Sequence, residues 1–261
     1  MVSENRIYIT YQMGGPSDLQ VFDLKGNQQT GPQILPVSSV NELTPVGNDS
    51  ILFSNSSYIV PKTWFRFDAT NSTTTRTKLF NTSPVNFSDT EVLRKFATSK
   101  DGTRIPVNII MKKNTKLDGN NPTILYGYGG YGFSETPNYN PLRYVWIEQG
   151  GIYAVANIRG GGEYGEAWHQ AGMLTRKQNV FDDFTAAMEY LIKKGYTSPE
   201  KLAIMGGSNG GLLMGAMITQ HPELFKATVS SVGVYDMIRV EQTPNGRFNI
   251  TEYGTVQNPE Q

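Results

Sequence analysis

A glycine-flanked serine between a short apolar run and a helical pattern constrains this chain more than any other feature. Residues 201–216 read KLAIMGGSNGGLLMGA, so Gly206 and Gly210 occupy both glycine positions of the G-x-S-x-G pattern around Ser208. A serine in that pattern sits on a sharp strand-to-helix turn at strained backbone angles, so its neighbours must be small. The turn holds the hydroxyl out over a sheet, beside N–H groups that can bind an oxyanion. The run predicts a nucleophile elbow.

Composition excludes several classes of partner and site. The 261 residues carry 23 Lys plus Arg and 23 Asp plus Glu, so no basic field is available for nucleic acid. The absence of cysteine excludes disulfides, thiolate metal sites and a cysteine nucleophile. No apolar run reaches about 18 residues and no signal peptide follows Met1, so we expect neither a membrane nor an export element.

The expected location is the cytoplasm, with secretion as the alternative. Secretion stays open because the chain has six N-x-Ser/Thr sequons, although loops rich in Ser, Thr and Asn produce such triplets by chance. They begin at Asn48, Asn55, Asn71, Asn81, Asn86 and Asn249.

The two parts of the chain have different periodicities. Residues 1–85 contain short runs that alternate apolar with polar residues, at 6–11, 19–23, 50–54 and 63–67. This pattern predicts antiparallel strands, enough for one or two blades at the C-terminal end of a β-propeller. In residues 86–261, buried runs at 123–127, 152–157, 202–205 and 227–231 alternate with helical stretches at 179–194 and 210–220. That alternation predicts an α/β domain with a mostly parallel sheet and helices on both faces.

Two further motifs receive structural interpretations. Gly160, Gly162 and Gly165 match G-x-G-x-x-G after a strand, but no acidic residue ends a strand about 20 residues later, so we expect no dinucleotide and no other cofactor. Asp182 and Asp183 resemble a carboxylate pair for acid–base or metal chemistry. Acidic residues in a first helical turn more often favour the helix dipole and face solvent, which is the expectation here.

A serine hydrolase needs a histidine base oriented by a carboxylate, and the chain contains only two histidines. His221 ends the helix that starts after Ser208, on the order of 15 Å from it at ~1.5 Å per residue. His169 reaches the elbow only if its segment folds over it. In α/β-hydrolases the chain order is serine, acid, histidine. We therefore expect the base and the acid to lie outside this sequence, which alone would be inactive.

Several motifs over nearly the whole chain resemble those of the prolyl oligopeptidase family of serine peptidases. They are SKDGTRIP at 99–106, YGYGGY at 126–131, PNY at 137–139, ANIRGGGEYGE at 156–166, FDDF at 181–184, GGSNGGLL at 206–213 and VGVYDM at 232–237. The resemblance implies an α/β-hydrolase domain, here its N-terminal half, combined with a propeller that admits only short peptides. It also implies that Ser208 is the nucleophile and that the Asn209 N–H and the Tyr128 hydroxyl form the oxyanion hole.

The resemblance further implies a proline pocket lined by Tyr131, Val234 and Tyr253, with Tyr131 where a phenylalanine is usual. Asn249 falls where the family stacks a tryptophan on the substrate proline, and Phe248 is adjacent. An amide offers no flat apolar face. Either Phe248 takes over the stacking, or the preference for proline is relaxed.

The leading hypothesis is part of a monomeric serine endopeptidase that cleaves short peptides after proline. An esterase or lipase on the same elbow is one alternative, disfavoured because those enzymes usually draw the oxyanion donor from a glycine-rich loop. A non-catalytic binding protein with the hydrolase shape is the other.

Overall fold

The computed structural model describes residues 1–260, and the chain divides into two compact units. One unit comprises residues 1–92 and 136–145, and the other comprises residues 93–135 and those from 146 onward. No helix within residues 1–260 is both long and apolar enough to cross a membrane.

The first unit contains two antiparallel sheets. The three-stranded sheet is made of β1 (Arg6–Gln12), β2 (Ser17–Asp23) and β3 (Gln28–Gln29). The four-stranded sheet is made of β4 (Ser38–Pro45), β5 (Ile51–Ser57), β6 (Thr63–Asp68) and β7 (Thr73–Phe80). Side chains alternate along each strand, so the apolar ones share a face. They form one buried cluster of Tyr8, Leu19, Val21, Val40, Ile51, Phe53 and Phe67.

A six-stranded mixed sheet follows. Its strands are β8 (Thr90–Thr98), β9 (Arg104–Lys112), β10 (Thr123–Tyr126), β11 (Ile152–Ala156), β12 (Leu202–Gly207) and β13 (Ala227–Ser231). The spatial order is β13-β12-β10-β11-β9-β8. Strands β10 to β13 run parallel and β9 pairs antiparallel with β11. The mostly parallel sheet agrees with the sequence prediction.

The helices lie mainly between the parallel strands in the sequence. They are α1 (Leu142–Glu148), α2 (Glu166–Gln170), α3 (Gln178–Lys193), α4 (Asn209–Gln220) and α5 (Ile250–Tyr253). Short 3-10 turns occur at Leu174–Arg176, Pro199–Lys201, Pro222–Leu224, Val240–Gln242 and Gly246–Asn249.

Helix α3 shows why the 3–4 spacing of apolar residues predicts a helix. Val180, Phe184, Met188 and Leu191 are fully buried in the main core. Each such side chain contributes roughly 1.5–3 kcal/mol when it is removed from water. Gly195 follows the helix at a φ of 74°, which is the position where a glycine commonly ends a helix.

Two sequence expectations are wrong. Residues 227–231 were expected to be buried, but four of the five side chains in β13 are exposed, because this strand ends the sheet with only β12 beside it. Asp183 was expected to face solvent, but it is fully buried. Its Oδ2 accepts a hydrogen bond from Arg159 Nε at 2.9 Å and its Oδ1 accepts one from Ser99 Oγ at 2.6 Å. The buried carboxylate is satisfied by this pairing with Arg159.

Candidate active site

Ser208 lies on the turn between β12 and α4. Its φ is 55° and its ψ is −117°, a conformation that non-glycine residues adopt rarely. The Ser208 N–H donates to the Ser231 carbonyl at 2.8 Å, and its own carbonyl accepts from the N–H of Gly211 at 2.9 Å. Neighbouring strand and helix thus fix the strained residue in place. The sequence predicted this strand–turn–helix geometry.

The two pattern glycines are required by contact. A Cβ on Gly206 would lie 2.4 Å from the Gly210 carbonyl oxygen, and one on Gly210 would lie 2.7 Å from the Gly127 carbonyl oxygen. Backbone atoms at those distances leave no space for a methyl group. The elbow is therefore packed against the loop that follows β10, residues 127–132, which we call the tyrosine loop.

Tyr128 in the tyrosine loop lies close enough to Ser208 for the two side chains to interact. Burial raises the pKa of the Tyr128 phenol, the interaction with Ser208 lowers it, and the negative charge of Glu252 raises it further. The net shift is upward, so the phenol is protonated at neutral pH and can donate a hydrogen bond. The structure thus brings a serine hydroxyl and a phenolic donor together at one point.

Asn209 is fixed by its side chain and is 1 % exposed. Its Nδ2 donates to the Tyr128 carbonyl at 2.5 Å, and its Oδ1 accepts from the Tyr253 hydroxyl at 2.9 Å. The backbone N–H of Asn209 belongs to the first turn of α4, where N–H groups have no partner within the helix. That N–H is the second group which the sequence analysis assigns to an oxyanion.

Tyr131 is the centre of an aromatic group beside the elbow. Its ring is stacked on Phe248 with centroids 5.6 Å apart and planes at 8°. Tyr253 meets it edge-on, with centroids 5.8 Å apart. The Tyr131 hydroxyl donates to Asn249 Oδ1 at 2.5 Å. Three of the predicted pocket residues and Asn249 therefore lie together, although the polar bond between Tyr131 and Asn249 was not foreseen.

The remaining predicted pocket residue follows strand β13. Val234 is half-buried in the loop after β13, next to Gly233, whose Cα would be 2.5 Å from a Cβ on Gly211. Phe248 is 72 % exposed, which leaves one ring face open. It also lines, with Asn249, an open cleft of about 1300 Å³ formed by residues 241–257.

Neither histidine is paired with Ser208. His169 Nε2 lies 2.9 Å from Glu252 Oε2, and its Nδ1 lies 3.4 Å from Glu166 Oε1. His221 follows the last residue of α4, and its Nδ1 lies 3.3 Å from Glu223 Oε1. Each histidine therefore lies close to a carboxylate.

Sequence reasoning did not identify Glu252 and Lys177. Glu252 is 1 % exposed and its Oε1 accepts from Lys177 Nζ at 2.8 Å. The one available signal was an acidic residue directly before the pocket residue Tyr253. A single acidic residue in that position does not predict burial, because its partners lie 75 and 83 residues away in the sequence.

Comparisons with known proteins show which family this chain resembles. The model of the prolyl oligopeptidase family matches residues 137–261. A prolyl endopeptidase from Elizabethkingia miricola is 46 % identical over 258 residues, which cover 96 % of this chain and 36 % of the relative. The chain belongs to the prolyl oligopeptidase family. A prolyl endopeptidase from Dictyostelium discoideum is 39 % identical over 99 % of this chain and 34 % of its own length.

Solved structures give the same result. A chain from a structural study of two prolyl endopeptidases matches all of this chain with a TM-score of 0.90 and 41 % identity, over 38 % of its own length. Prolyl oligopeptidase B from Galerina marginata matches 98 % of this chain with a TM-score of 0.85 and 33 % identity, over 37 % of its length. The fold is therefore an α/β-hydrolase preceded by β-propeller strands, and the chain spans about a third of the relatives' length.

Proposed function

We propose that this chain is part of a serine endopeptidase that hydrolyses short peptides on the carboxyl side of proline. The observation that carries the proposal is the pairing of Ser208, on a strained elbow, with the protonated Tyr128 phenol. The names of the prolyl endopeptidase relatives support the substrate class. In this proposal residues 1–85 are propeller strands and residues 86–261 begin the catalytic domain of a monomeric enzyme.

The proposed reaction is acyl transfer. Ser208 Oγ attacks the carbonyl carbon of the scissile bond while its proton passes to a general base, and the carbonyl oxygen becomes an oxyanion. The Tyr128 hydroxyl and the Asn209 N–H donate to that oxyanion. The amine leaves with a proton, and water then hydrolyses the acyl-enzyme. We place the base and its carboxylate outside these 261 residues, since both histidines are engaged elsewhere.

A cytoplasmic location accompanies the proposal. One of the sequons that favour secretion, at Asn55, is fully buried. Its Nδ2 donates to the Ser39 carbonyl at 2.8 Å and its Oδ1 accepts from the Leu35 N–H at 2.7 Å. A side chain in that position is inaccessible to a glycosyl transferase in the folded protein.

The pocket favours proline less strictly than one with a stacking tryptophan would. Asn249 is bound to the Tyr131 hydroxyl, and Phe248 uses one ring face on Tyr131. Stacking an aromatic ring on the substrate pyrrolidine would be worth roughly 0.5–1.5 kcal/mol beyond its buried area. We therefore treat Tyr131 and Asn249 as a pair that must change together, because tryptophan at Asn249 alone removes the acceptor of the Tyr131 hydroxyl.

The test measures kcat/KM of the longer protein on glycyl-prolyl and glycyl-alanyl p-nitroanilides. We expect the wild type to prefer proline, and the Tyr131→Phe/Asn249→Trp double variant to raise the ratio about threefold to tenfold. Asn249→Trp alone should gain less and serves as the control. A wild type that prefers alanine contradicts the proposed function. An unchanged ratio in the double variant contradicts only the pocket assignment.

A further inference from the structure

A buried charged cluster lies directly behind the candidate pocket. Glu252, in α5, has a side chain only 1 % exposed and pairs with Lys177 Nζ at 2.8 Å and with His169 Nε2 at 2.9 Å. Lys177 and His169 are themselves 13 % and 18 % exposed. Glu166, which is 69 % exposed, faces His169 from the solvent side at 3.4 Å. These contacts bring together three segments that are distant in the sequence.

Both partners of Glu252 also contact the tyrosine loop. Lys177 Nζ donates to the Gly129 carbonyl at 3.1 Å, one residue after Tyr128. A Cβ on Gly132 would lie 3.5 Å from His169 Nδ1, so the imidazole packs against that glycine. The loop that carries Tyr128 and Tyr131 is therefore contacted at two of its four glycines, Gly129 and Gly132, by partners of one carboxylate.

Glu252 is also linked, through the adjacent residue Tyr253, to Asn209 beside the nucleophile. The next residue, Tyr253, donates to Asn209 Oδ1 at 2.9 Å, and its ring centroid is 5.2 Å from Lys177 Nζ. Burial lowers the pKa of Lys177, while the charge of Glu252 opposes that shift. Burial is the main cause that raises the pKa of Tyr128 and of Tyr253, and the charge of Glu252 adds to that shift. The cluster thus affects two hydrogen-bond donors, the hydroxyls of Tyr128 and Tyr253, without contacting Ser208.

We propose that Lys177, Glu252 and His169 are positioning residues that hold the pocket segment, residues 248–253, against the tyrosine loop. The substrate pocket and the phenolic oxyanion donor then keep a fixed distance from each other. The inference rests on the proposed function. A buried ion pair is not needed for stability alone, because apolar residues of similar volume often replace one at no cost. Apolar replacements would, however, no longer fix the distance between the pocket and the oxyanion donor.

The first experiment needs no catalysis. Amide hydrogen exchange, followed by mass spectrometry, compares the 261-residue chain with its Glu252→Gln variant. We expect exchange in residues 127–132 and 248–254 to be at least about tenfold faster, with residues 180–191 of α3 unchanged. Glu200→Gln is the matched control, because Glu200 is 74 % exposed and pairs with Lys226 at 3.0 Å. Faster exchange throughout the chain, or no change in the two segments, would overturn the proposal.

A second variant covers the case in which Glu252→Gln does not fold. Lys177→Met/Glu252→Leu leaves neither of the two buried charges without its partner, and we expect it to keep the fold with the same local increase in exchange. A double variant that folds and exchanges like the wild type would show that the charges position nothing.

The third measurement uses the longer protein on a prolyl p-nitroanilide. Lys177→Met should lower kcat about tenfold to hundredfold with little change in KM, because the misplaced oxyanion donor acts mainly in the transition state and contributes little to peptide binding. Lys177→Arg should recover part of the loss, and Lys226→Met is the control. Loss confined to KM, or wild-type kinetics, would overturn the inference. An inactive wild type would contradict the proposed function and leave the exchange result as it stands.

Discussion

At the residue scale, Ser208 and Tyr128 have complementary requirements. Ser208 needs a positive φ, which costs of order 1–3 kcal/mol and places its hydroxyl above the end of β12. Tyr128 needs a protonated phenol close to that hydroxyl, and burial raises its pKa in the required direction. The side-chain amide of Asn209 also fixes Tyr128, because its Nδ2 donates to the Tyr128 carbonyl at 2.5 Å. A donor held this firmly requires little reorganisation when an oxyanion forms.

Replacing Tyr128 by phenylalanine tests the phenol directly. In the longer protein, loss of one oxyanion donor should lower kcat by about 10²–10³ with KM nearly unchanged, because the hydroxyl acts mainly in the transition state. Steady-state kinetics on a prolyl p-nitroanilide measure this, with Tyr11→Phe on β1 as the control. A decrease in kcat of less than threefold would contradict the assignment of Tyr128 to the oxyanion hole.

At the element scale, two consecutive positions of the elbow differ in the space available to a side chain. A Cβ on Gly206 would meet the Gly210 carbonyl at 2.4 Å, whereas one on Gly207 would have only ordinary contacts at 3.6 Å and beyond. Both glycines end the same strand, β12. Alanine substitutions at Gly206 and Gly207, compared with each other, therefore separate the packing requirement of the elbow from the general effect of adding a methyl group.

Gly206→Ala should lower the free energy of unfolding of the 261-residue chain by about 1–3 kcal/mol, because backbone atoms must move to admit the methyl group. Gly207→Ala should change it by less than about 0.5 kcal/mol. Urea unfolding followed by circular dichroism measures both variants. Equal effects at the two positions would show that the elbow is not packed as tightly as the contacts indicate.

The sequence predicted the elements whose causes are local. Strand β12, the turn at Ser208 and helix α4 follow from residues adjacent in the chain, and α3 follows from its apolar spacing. The burial of Asp183 depends on Arg159, 24 residues away, and that of Glu252 on partners still more distant. The exposure of β13 depends on its place at the end of the sheet order. No single sequence pattern carries such pairings.

At the scale of the whole molecule, the chain combines the proposed nucleophile and oxyanion donors with two histidines that each lie close to a carboxylate. A serine hydroxyl without a base is a weak nucleophile. We therefore expect the 261-residue chain alone to show no turnover at enzymatic rates, and the longer protein to supply the base. The two should differ in the rate at which Ser208 reacts, while the elbow is the same in both.

Covalent labelling tests the central claim, that Ser208 is the nucleophile. The longer protein is incubated with a fluorophosphonate, digested and mapped by mass spectrometry, with the 261-residue chain and a Ser208→Ala variant in parallel. We predict one adduct on Ser208 that forms rapidly in the longer protein and far more slowly in the chain alone, and neither adduct nor peptide hydrolysis at enzymatic rates in Ser208→Ala. Labelling of another serine, with Ser208→Ala keeping wild-type turnover, would contradict the account.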